Sequence, residues 1–270
     1  MDVFSARKVI KEALLHTYGT VYEYDVCFVL KYCFGLSSCW AASTDIGDIW
    51  VQKVARDIRQ GIPIQYICGI EEFKGKPFLV FPGVFIPREE TEDLVDIAID
   101  AVPRGSRILE IGVGTGVISI SLLMSRRDIM AMGVDINPLA VINTFTNARR
   151  FEVDSRLQLY HADVFSLIEM PMSFDFVLSN PPYLPDSDRL TIDELVSKEP
   201  ESALYGGFTG VEFIHKVIDI LIKTGFHGGL LFEFDDTTQH YLRSHEKMSV
   251  SRVKYYKDRF GKERFALVWL

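Results

Sequence analysis

Along residues 1–60, apolar positions recur at steps of three and four, which predicts helices. Ser5–Tyr18, Tyr24–Phe34 and Asp45–Gln60 each carry the spacing. Val9, Ala13 and Leu14 share a face of the first, and Val51, Val54 and Ile58 a face of the third. Gly61-Ile62-Pro63 ends the run, because proline lacks an amide hydrogen and pushes the preceding residue out of helical geometry. From Ile64 to Phe85 apolar and polar residues alternate around Gly69, Gly75 and Pro77, the pattern of a short β-hairpin linker. Glu90–Ala101 returns to helical spacing through Leu94, Ile97, Ala98 and Ala101.

After Arg107 strands and helices alternate. Ile108–Ile111, Met130–Val134, Leu157–Tyr160, Phe174–Ser179 and Leu230–Phe234 read as strands; Val117–Met124 and Val211–Lys223 read as helices. Asn137-Pro138 starts another helix, with a capping side chain followed by proline at the first helical position. Strands interleaved with helices predict a doubly wound α/β domain with a mainly parallel sheet. Ser251–Leu270 reads strand, turn at Phe260-Gly261-Lys262, strand: a terminal antiparallel hairpin. The expected fold class is therefore α/β, a mainly parallel sheet with a C-terminal antiparallel hairpin, plus a small all-α N-terminal domain and a β-hairpin linker.

Composition narrows the function classes. The chain has 270 residues, 48% hydrophobic and 24% charged, as in ordinary globular enzymes. No stretch approaches a membrane-spanning length, and the N-terminus lacks the layout of a secretory signal, so a cytoplasmic location is expected. Cys27, Cys33, Cys39 and Cys68 fit no common zinc spacing and are expected to be reduced thiols; no metal site is expected. The net charge of −8 argues against a protein that grips long nucleic acid, and no direct DNA binding is expected. Residues 243–264 nevertheless hold eight Lys/Arg against three Asp/Glu, read here as a solvated edge hairpin.

Candidate chemistry gathers at the ends of the strands. Gly112-Val113-Gly114-Thr115-Gly116 lies between a strand and a helix, where glycines allow a sharp turn and close approach to a ligand. Val117 stands where a dinucleotide-binding loop carries Gly or Ala, which disfavours a pyrophosphate. Asp135 ends the second strand, placed to accept hydrogen bonds from two ribose hydroxyls. Asp163-Val164 follows the third, suited to an adenine amino group and ring face. Together these features form a nucleoside crevice.

Asn180-Pro181-Pro182-Tyr183 ends the fourth strand. An amide or ring-amino nitrogen is a poor nucleophile because its lone pair is delocalised. The Asn180 side-chain oxygen and the Pro181 carbonyl can accept its two N–H bonds and turn the lone pair toward a sulfonium methyl. The prolines stiffen the loop, and Tyr183 offers a face for a planar group to stack on. This tetrapeptide suits both side-chain amides and the exocyclic amine of adenine.

Several ordered motifs resemble the HemK/PrmC family, the glutamine N5-methyltransferases of peptide chain release factors. They are Gly61-Ile62-Pro63-Ile64-Gln65-Tyr66-Ile67-Cys68-Gly69 with Glu72-Phe73, then Phe85-Ile86-Pro87-Arg88 with Glu90-Thr91-Glu92. The glycine loop, Asp135, Asn180–Tyr183, Glu199-Pro200 and Gly206-Gly207 follow. The resemblance implies S-adenosyl-L-methionine as cofactor and class I release factors as protein partners, methylated on the glutamine of a Gly-Gly-Gln loop. It implies a helical substrate-recognition domain over 1–62, a β-hairpin linker over 63–86 and, over 87–270, a methyltransferase domain built on a class I Rossmann-like methyltransferase sheet with a C-terminal antiparallel hairpin. By matching position, Gly112, Val113, Gly114, Thr115, Gly116, Asp135, Val164 and Asn180 would contact the cofactor. Asn180, Pro181, Pro182 and Tyr183 would hold the glutamine, with Asn180, Pro181 and Tyr183 as the catalytic set and Phe85 lining the pocket. Glutamine methylation of a ribosomal large-subunit protein and adenine N6-methylation of DNA remain as alternatives. The chain departs from the family at Glu89, usually Pro, at Tyr205, usually an acid, and at Glu233-Phe234-Asp235-Asp236, usually Glu-apolar-Gly.

Overall fold

A computed structural model of the chain describes residues 1–37, 45–169, 173–244 and 252–270. The chain forms two compact units, residues 1–71 with 193–198 and residues 72–192 with 199–270. The first is built on helices α1 (Val3–Tyr18), α2 (Glu23–Phe34), α3 (Asp48–Arg59) and α4 (Ile64–Cys68). The Asp2 carboxylate caps α1 by accepting the Ser5 N–H at 2.7 Å. Val51, Val54, Ala55 and Ile58 form the buried stripe of α3 and meet Ile10, Ala13 and Leu14 of α1 in one core. Helix α3 starts three residues later than the spacing predicts. Asp45 is held elsewhere: it accepts from the N-terminal ammonium at 2.7 Å and pairs with Asp2 in an isolated bridge.

Ile64–Cys68, expected to be extended, is instead the helix α4, closed by Gly69 in the left-handed conformation at φ 70°. Pro63 sits just before it, where a missing N–H costs nothing, so the residue that stops one helix starts the next. The thiols also differ from expectation. Cys27 is disulfide-bonded, while Cys33 and Cys68 are free, with their sulfurs 2.7 Å apart. Pairing depends on tertiary proximity, which the six-residue spacing cannot reveal. Cys39 lies outside the described residues.

The hairpin is shorter than expected, β1 (Ile70–Phe73) and β2 (Lys76–Leu79), and the boundary between the units falls inside β1. Phe73 and Phe78 are buried in the core of the second unit, edge to face at 6.0 Å. Beyond them come α5 (Thr91–Ala101), β3 (Arg107–Ile111), α6 (Val117–Ser125), β4 (Met130–Asp135), α7 (Pro138–Arg150), β5 (Leu157–His161) and β6 (Phe176–Ser179). Then follow β7 (Leu184–Pro185), α8 (Glu201–Leu204), β8 (Tyr205–Gly207), α9 (Glu212–Lys223), β9 (Gly229–Glu233), α10 (Gln239–Ser244), β10 (Arg252–Lys257) and β11 (Glu263–Trp269). The segment after β2 is fastened by two buried asparagines of α7. Asn147 Oδ1 accepts the Leu79 N–H and Asn143 Oδ1 the Phe81 N–H, each at 2.8 Å.

Seven strands form one sheet in the order β10-β11-β9-β6-β3-β4-β5. The five from β9 to β5 run parallel; β11 runs antiparallel to β9 and β10 antiparallel to β11, the terminal hairpin expected from the sequence. Residue 251, the expected start of that hairpin, and residues 245–250 of the basic stretch lie outside the described residues. Both faces of the parallel strands are covered. Ile108, Phe176, Leu178 and Leu231 pack with α5 and α6, whereas Leu109, Val177, Leu230 and Phe232 pack with α9. Burial on both sides explains why adjacent residues of β6 and β9, such as Phe176-Val177-Leu178 and Leu230-Leu231-Phe232, are apolar without alternation. Fully covering Ile214, Val217, Ile218 and Leu221 of α9 contributes roughly 1.5–3 kcal/mol per side chain.

In the basic stretch Arg259 is paired with Glu89, Glu92 and Asp93, Arg264 with Asp235 and Asp258, and Arg243 with Glu263. Their charge is spent within the protein. Among the described residues no helix is long and apolar enough to cross a membrane, and no group of three or more His, Cys, Asp or Glu could hold a metal.

Candidate active site

Parallel register decides what meets at the carboxyl edge of the sheet. Ile111 of β3 pairs with both Val134 of β4 and Ser179 of β6, and Asp135 pairs with His161 of β5. Gly112, Asp135, Asp163 and Asn180 therefore leave the sheet side by side. A methyl placed on Gly112 would lie 4.0 Å from the Asn180 carbonyl oxygen, so the glycine loop and the tetrapeptide are neighbours. These residues sit at the carboxyl ends of neighbouring strands, where open α/β sheets bind their ligands.

The glycine loop is a tightly tied turn. Gly112 N–H donates to Val134 O at 2.8 Å and Gly116 N–H to Val113 O at 2.7 Å. Thr144 Oγ1 donates to Gly114 O at 3.0 Å, and Asn147 Nδ2 to Thr115 O at 2.9 Å. Val113, Thr115 and Gly116 are buried beneath this turn and Gly112 is exposed. Asp135 staples it: one carboxylate oxygen accepts from Gly114 N–H at 2.9 Å and the other from Asn137 N–H at 2.8 Å. Each oxygen keeps a second lone pair, so two ribose hydroxyls can still be received. Burial raises the Asp135 pKa, opposed by those two backbone bonds. Val164 is buried, and Asp163 caps the turn after β5 by accepting the Phe165 N–H at 2.9 Å. Apolar floor, exposed glycine backbone and acid with spare acceptors suit a nucleoside cofactor.

The tetrapeptide is held from behind. Pro181 is buried, while Asn180, Pro182 and Tyr183 are half-buried. Two glycines make room for its backbone: a methyl on Gly206 would collide with Pro182 O, and one on Gly210 with Tyr183 O. Short strands β7 and β8 pair across this contact, Leu184 with Tyr205. Gly206, noted in the sequence, and Gly210 thus form the bed of the loop, while a methyl on Gly207 would meet the Glu212 side chain instead.

Asn180 Nδ2 donates to Thr91 Oγ1 at 3.0 Å, Thr91 Oγ1 donates to Glu233 Oε2 at 2.8 Å, and Tyr183 OH reaches Glu233 Oε1 at 3.4 Å. Burial pushes Glu233 up to about 7, partly offset by Thr91 and the charge of Arg264. Tyr183 is raised by burial and then by Glu233, so its phenol stays protonated. Phe85 lies in a segment tied by buried Glu199, which accepts the Ile86 N–H at 2.9 Å and pairs with Arg88. The Arg88 guanidinium sits 4.7 Å over the Phe85 ring, and its charge is felt at Tyr183. Every candidate site residue, from Phe85 to Tyr183, lies on the second unit, whereas the Gly61–Gly69 motif lies on the first. Thr91 and Glu233 were legible only as letters in larger motifs. A carboxylate closing the apolar strand Gly229-Leu230-Leu231-Phe232-Glu233 was the available signal, since buried acids gather at functional sites.

Residues 81–207 match the family model of the methyltransferase small domain. The release factor glutamine methyltransferase of Aquifex aeolicus is 31% identical over 274 residues, spanning 98% of this chain and 97% of that protein. The one from Dictyoglomus turgidum is 32% identical over 228 residues, 81% of each chain. Among solved structures, the hMettl16 catalytic domain in complex with MAT2A 3'UTR hairpin 6 superposes with a TM-score of 0.58 at 12% identity, covering 93% of each chain. That likeness speaks to the fold alone. Near full-length identity to relatives of one name, on a sheet whose strand ends carry the motifs of that family, leads to one assignment: the chain belongs to the HemK/PrmC family of release factor glutamine methyltransferases.

Proposed function

We infer that the chain transfers a methyl group from S-adenosyl-L-methionine to the N5 amide nitrogen of the glutamine in the Gly-Gly-Gln motif of class I peptide chain release factors. The observation that carries this reading is the adjacency of Gly112 and Asn180 at the ends of paired strands. That adjacency supports reading the glycine loop as the cofactor's crevice and the tetrapeptide as the holder of the amide. S-adenosyl-L-methionine, when bound, supplies an electrophilic methyl on a positively charged sulfur.

The chain's own residues do the rest. Gly112, Val113, Gly114, Thr115, Gly116, Asp135 and Val164 hold the cofactor, with Asn180 at its reacting end. Asn180 Oδ1 and the Pro181 carbonyl accept the two glutamine N–H bonds, which fixes the nitrogen and turns its lone pair toward the methyl. As the nitrogen gains a bond it gains positive charge, and the same two acceptors stabilise that charge; the N–H made acidic in this way then gives up its proton to solvent as the methylated product leaves. Tyr183, Pro182 and Phe85 enclose the planar amide and exclude water. The helical segment over 1–62 recognises the release factor, the segment over 63–86 links it to the catalytic domain over 87–270, and the setting is the cytoplasm.

Incubating the purified chain with S-adenosyl-L-methionine and a release factor tests this. One added methyl on the Gly-Gly-Gln tryptic peptide is the expected result. Methyl on a ribosomal large-subunit protein or on DNA adenine, with none on the release factor, overturns it.

A further inference from the structure

An asparagine amide has an acceptor at one end and a donor at the other, of nearly equal size, so packing alone does not decide which way round it stands. The difference is decisive for Asn180. With its oxygen toward the substrate it receives an N–H; flipped, it would set its own NH2 against another NH2. We propose that Thr91 and Glu233 are positioning residues that fix the Asn180 amide with its oxygen toward the glutamine nitrogen, an inference resting on the glutamine reading above.

The chain of hydrogen bonds has only one consistent direction. Thr91 owns a single hydroxyl proton and gives it to Glu233 Oε2 at 2.8 Å. An ionised carboxylate only accepts, so Thr91 has nothing but lone pairs left for Asn180. The asparagine must then present its NH2, which it does at 3.0 Å. Thr91 and Glu233 are 2% and 1% exposed, so water does not compete for these partners. The second carboxylate oxygen of Glu233 receives the Tyr183 hydroxyl at 3.4 Å. One buried acid thereby orients both ends of the tetrapeptide. Strand pairing makes this possible: Ser179 pairs with Phe232, which brings the following residues, Asn180 and Glu233, together at the sheet edge.

The groups facing Glu233 are Thr91 of α5, Glu90 just before it, Tyr183 beyond β6 and Arg264 of β11. Burial and Glu90 oppose its ionisation; Thr91, Arg264 and Tyr183 favour it, leaving its pKa at about 7. Below that value a protonated Glu233 can donate to Thr91. The threonine proton is then released toward Asn180, which favours the flipped amide. Turnover should therefore rise with pH through about 7.

The test uses the full chain, an unmodified release factor and labelled methyl donor. Thr91→Val keeps the shape and removes the hydroxyl; kcat should fall about 10- to 100-fold, the cost of a misplaced reacting group. The affinity for S-adenosylhomocysteine, read by calorimetry, should be unchanged, and Thr91→Ser should recover most of the rate. Glu233→Gln, which can still accept from Thr91 but does not titrate, should turn over without the fall at low pH. Wild-type kcat in Thr91→Val, equal losses in the Val and Ser variants, or an unaltered pH limb in Glu233→Gln would each overturn the proposal. If Thr91→Val fails to fold, the Glu233→Gln profile decides alone. A wild-type chain that methylates no release factor sinks the glutamine reading, whereas normal wild-type transfer beside an indifferent Thr91→Val sinks only the positioning role.

Discussion

Glu110 offers a way to test the physics of the sheet edge without measuring catalysis. It sits in β3 one residue before the end, 1% exposed, with Oε2 accepting the Ser119 N–H at 2.9 Å. Burial pushes its pKa from 4.5 to about 8; the Ser119 bond opposes this and the charge of Asp135 adds to it. The folded protein therefore holds a proton on Glu110 at neutral pH that the unfolded chain has released. A group raised in this sense stabilises fully below its unfolded pKa and loses that contribution as pH climbs to the folded one. Each pH step in the window costs about 1.4 kcal/mol, so between about pH 5 and about pH 8.5 the wild type should lose roughly 3–4 kcal/mol through this residue. Glu110→Gln keeps an acceptor for Ser119 and cannot ionise, so it should escape that loss. The measurement is urea unfolding of both proteins across this range, following the transition of the α/β unit. Glu233 has the same sign and is present in both, so it cancels in the difference. The difference should grow in favour of Glu110→Gln as pH rises, to a sizeable part of an ordinary domain's total stability. A gap that stays flat would refute the reasoning, because Glu110 would then ionise as easily inside the protein as outside it.

Other outcomes follow from the same geometry. Asn180→Ala should abolish methyl transfer while sparing most of the affinity for S-adenosylhomocysteine; turnover at the wild-type rate would remove the asparagine from the chemistry. Asp135→Ala strips the acceptor from both Gly114 and Asn137, so cofactor affinity should drop at least ~10-fold, and an unchanged dissociation constant by calorimetry would detach this acid from the crevice. Gly206→Ala drives a methyl into the Pro182 carbonyl and should lower the melting temperature along with kcat, by roughly 1–3 kcal/mol of overpacking; a variant as stable and active as wild type would show that the loop does not rest on this glycine.

How much of this was legible from the sequence depends on how far apart the cooperating residues lie. The strands were readable because each is a short, mostly apolar run, and the site loops because they follow such runs. Residues 64–68 were misread as extended since a single helical turn is too short to show a period, and its real signals, Pro63 before and Gly69 after, punctuate hairpins equally well. Cys27 was misread because a disulfide is a fact of tertiary distance. Thr91 and Glu233 were invisible as functional residues for a related reason. Thr91 is 89 positions from Asn180 and 142 from Glu233, and no local pattern links them.

That separation also explains why the reactive loop follows β6 in particular. β6 is an inner strand, flanked by β3 on one side and β9 on the other. The loop after β3 is the glycine turn, and the residue that ends β9 is Glu233. A tetrapeptide placed after an edge strand would have one such neighbour; placed after β6 it has both. One side brings the glycine turn, and the other brings the buried carboxylate of Glu233. The parallel order of these three strands thus does more than build a core. It sets the Asn180 loop between the glycine turn and a buried acid, and a swap of β9 for any strand not ending in a buried acceptor would remove the carboxylate that Thr91 donates to and break the hydrogen-bonded chain that reaches Asn180.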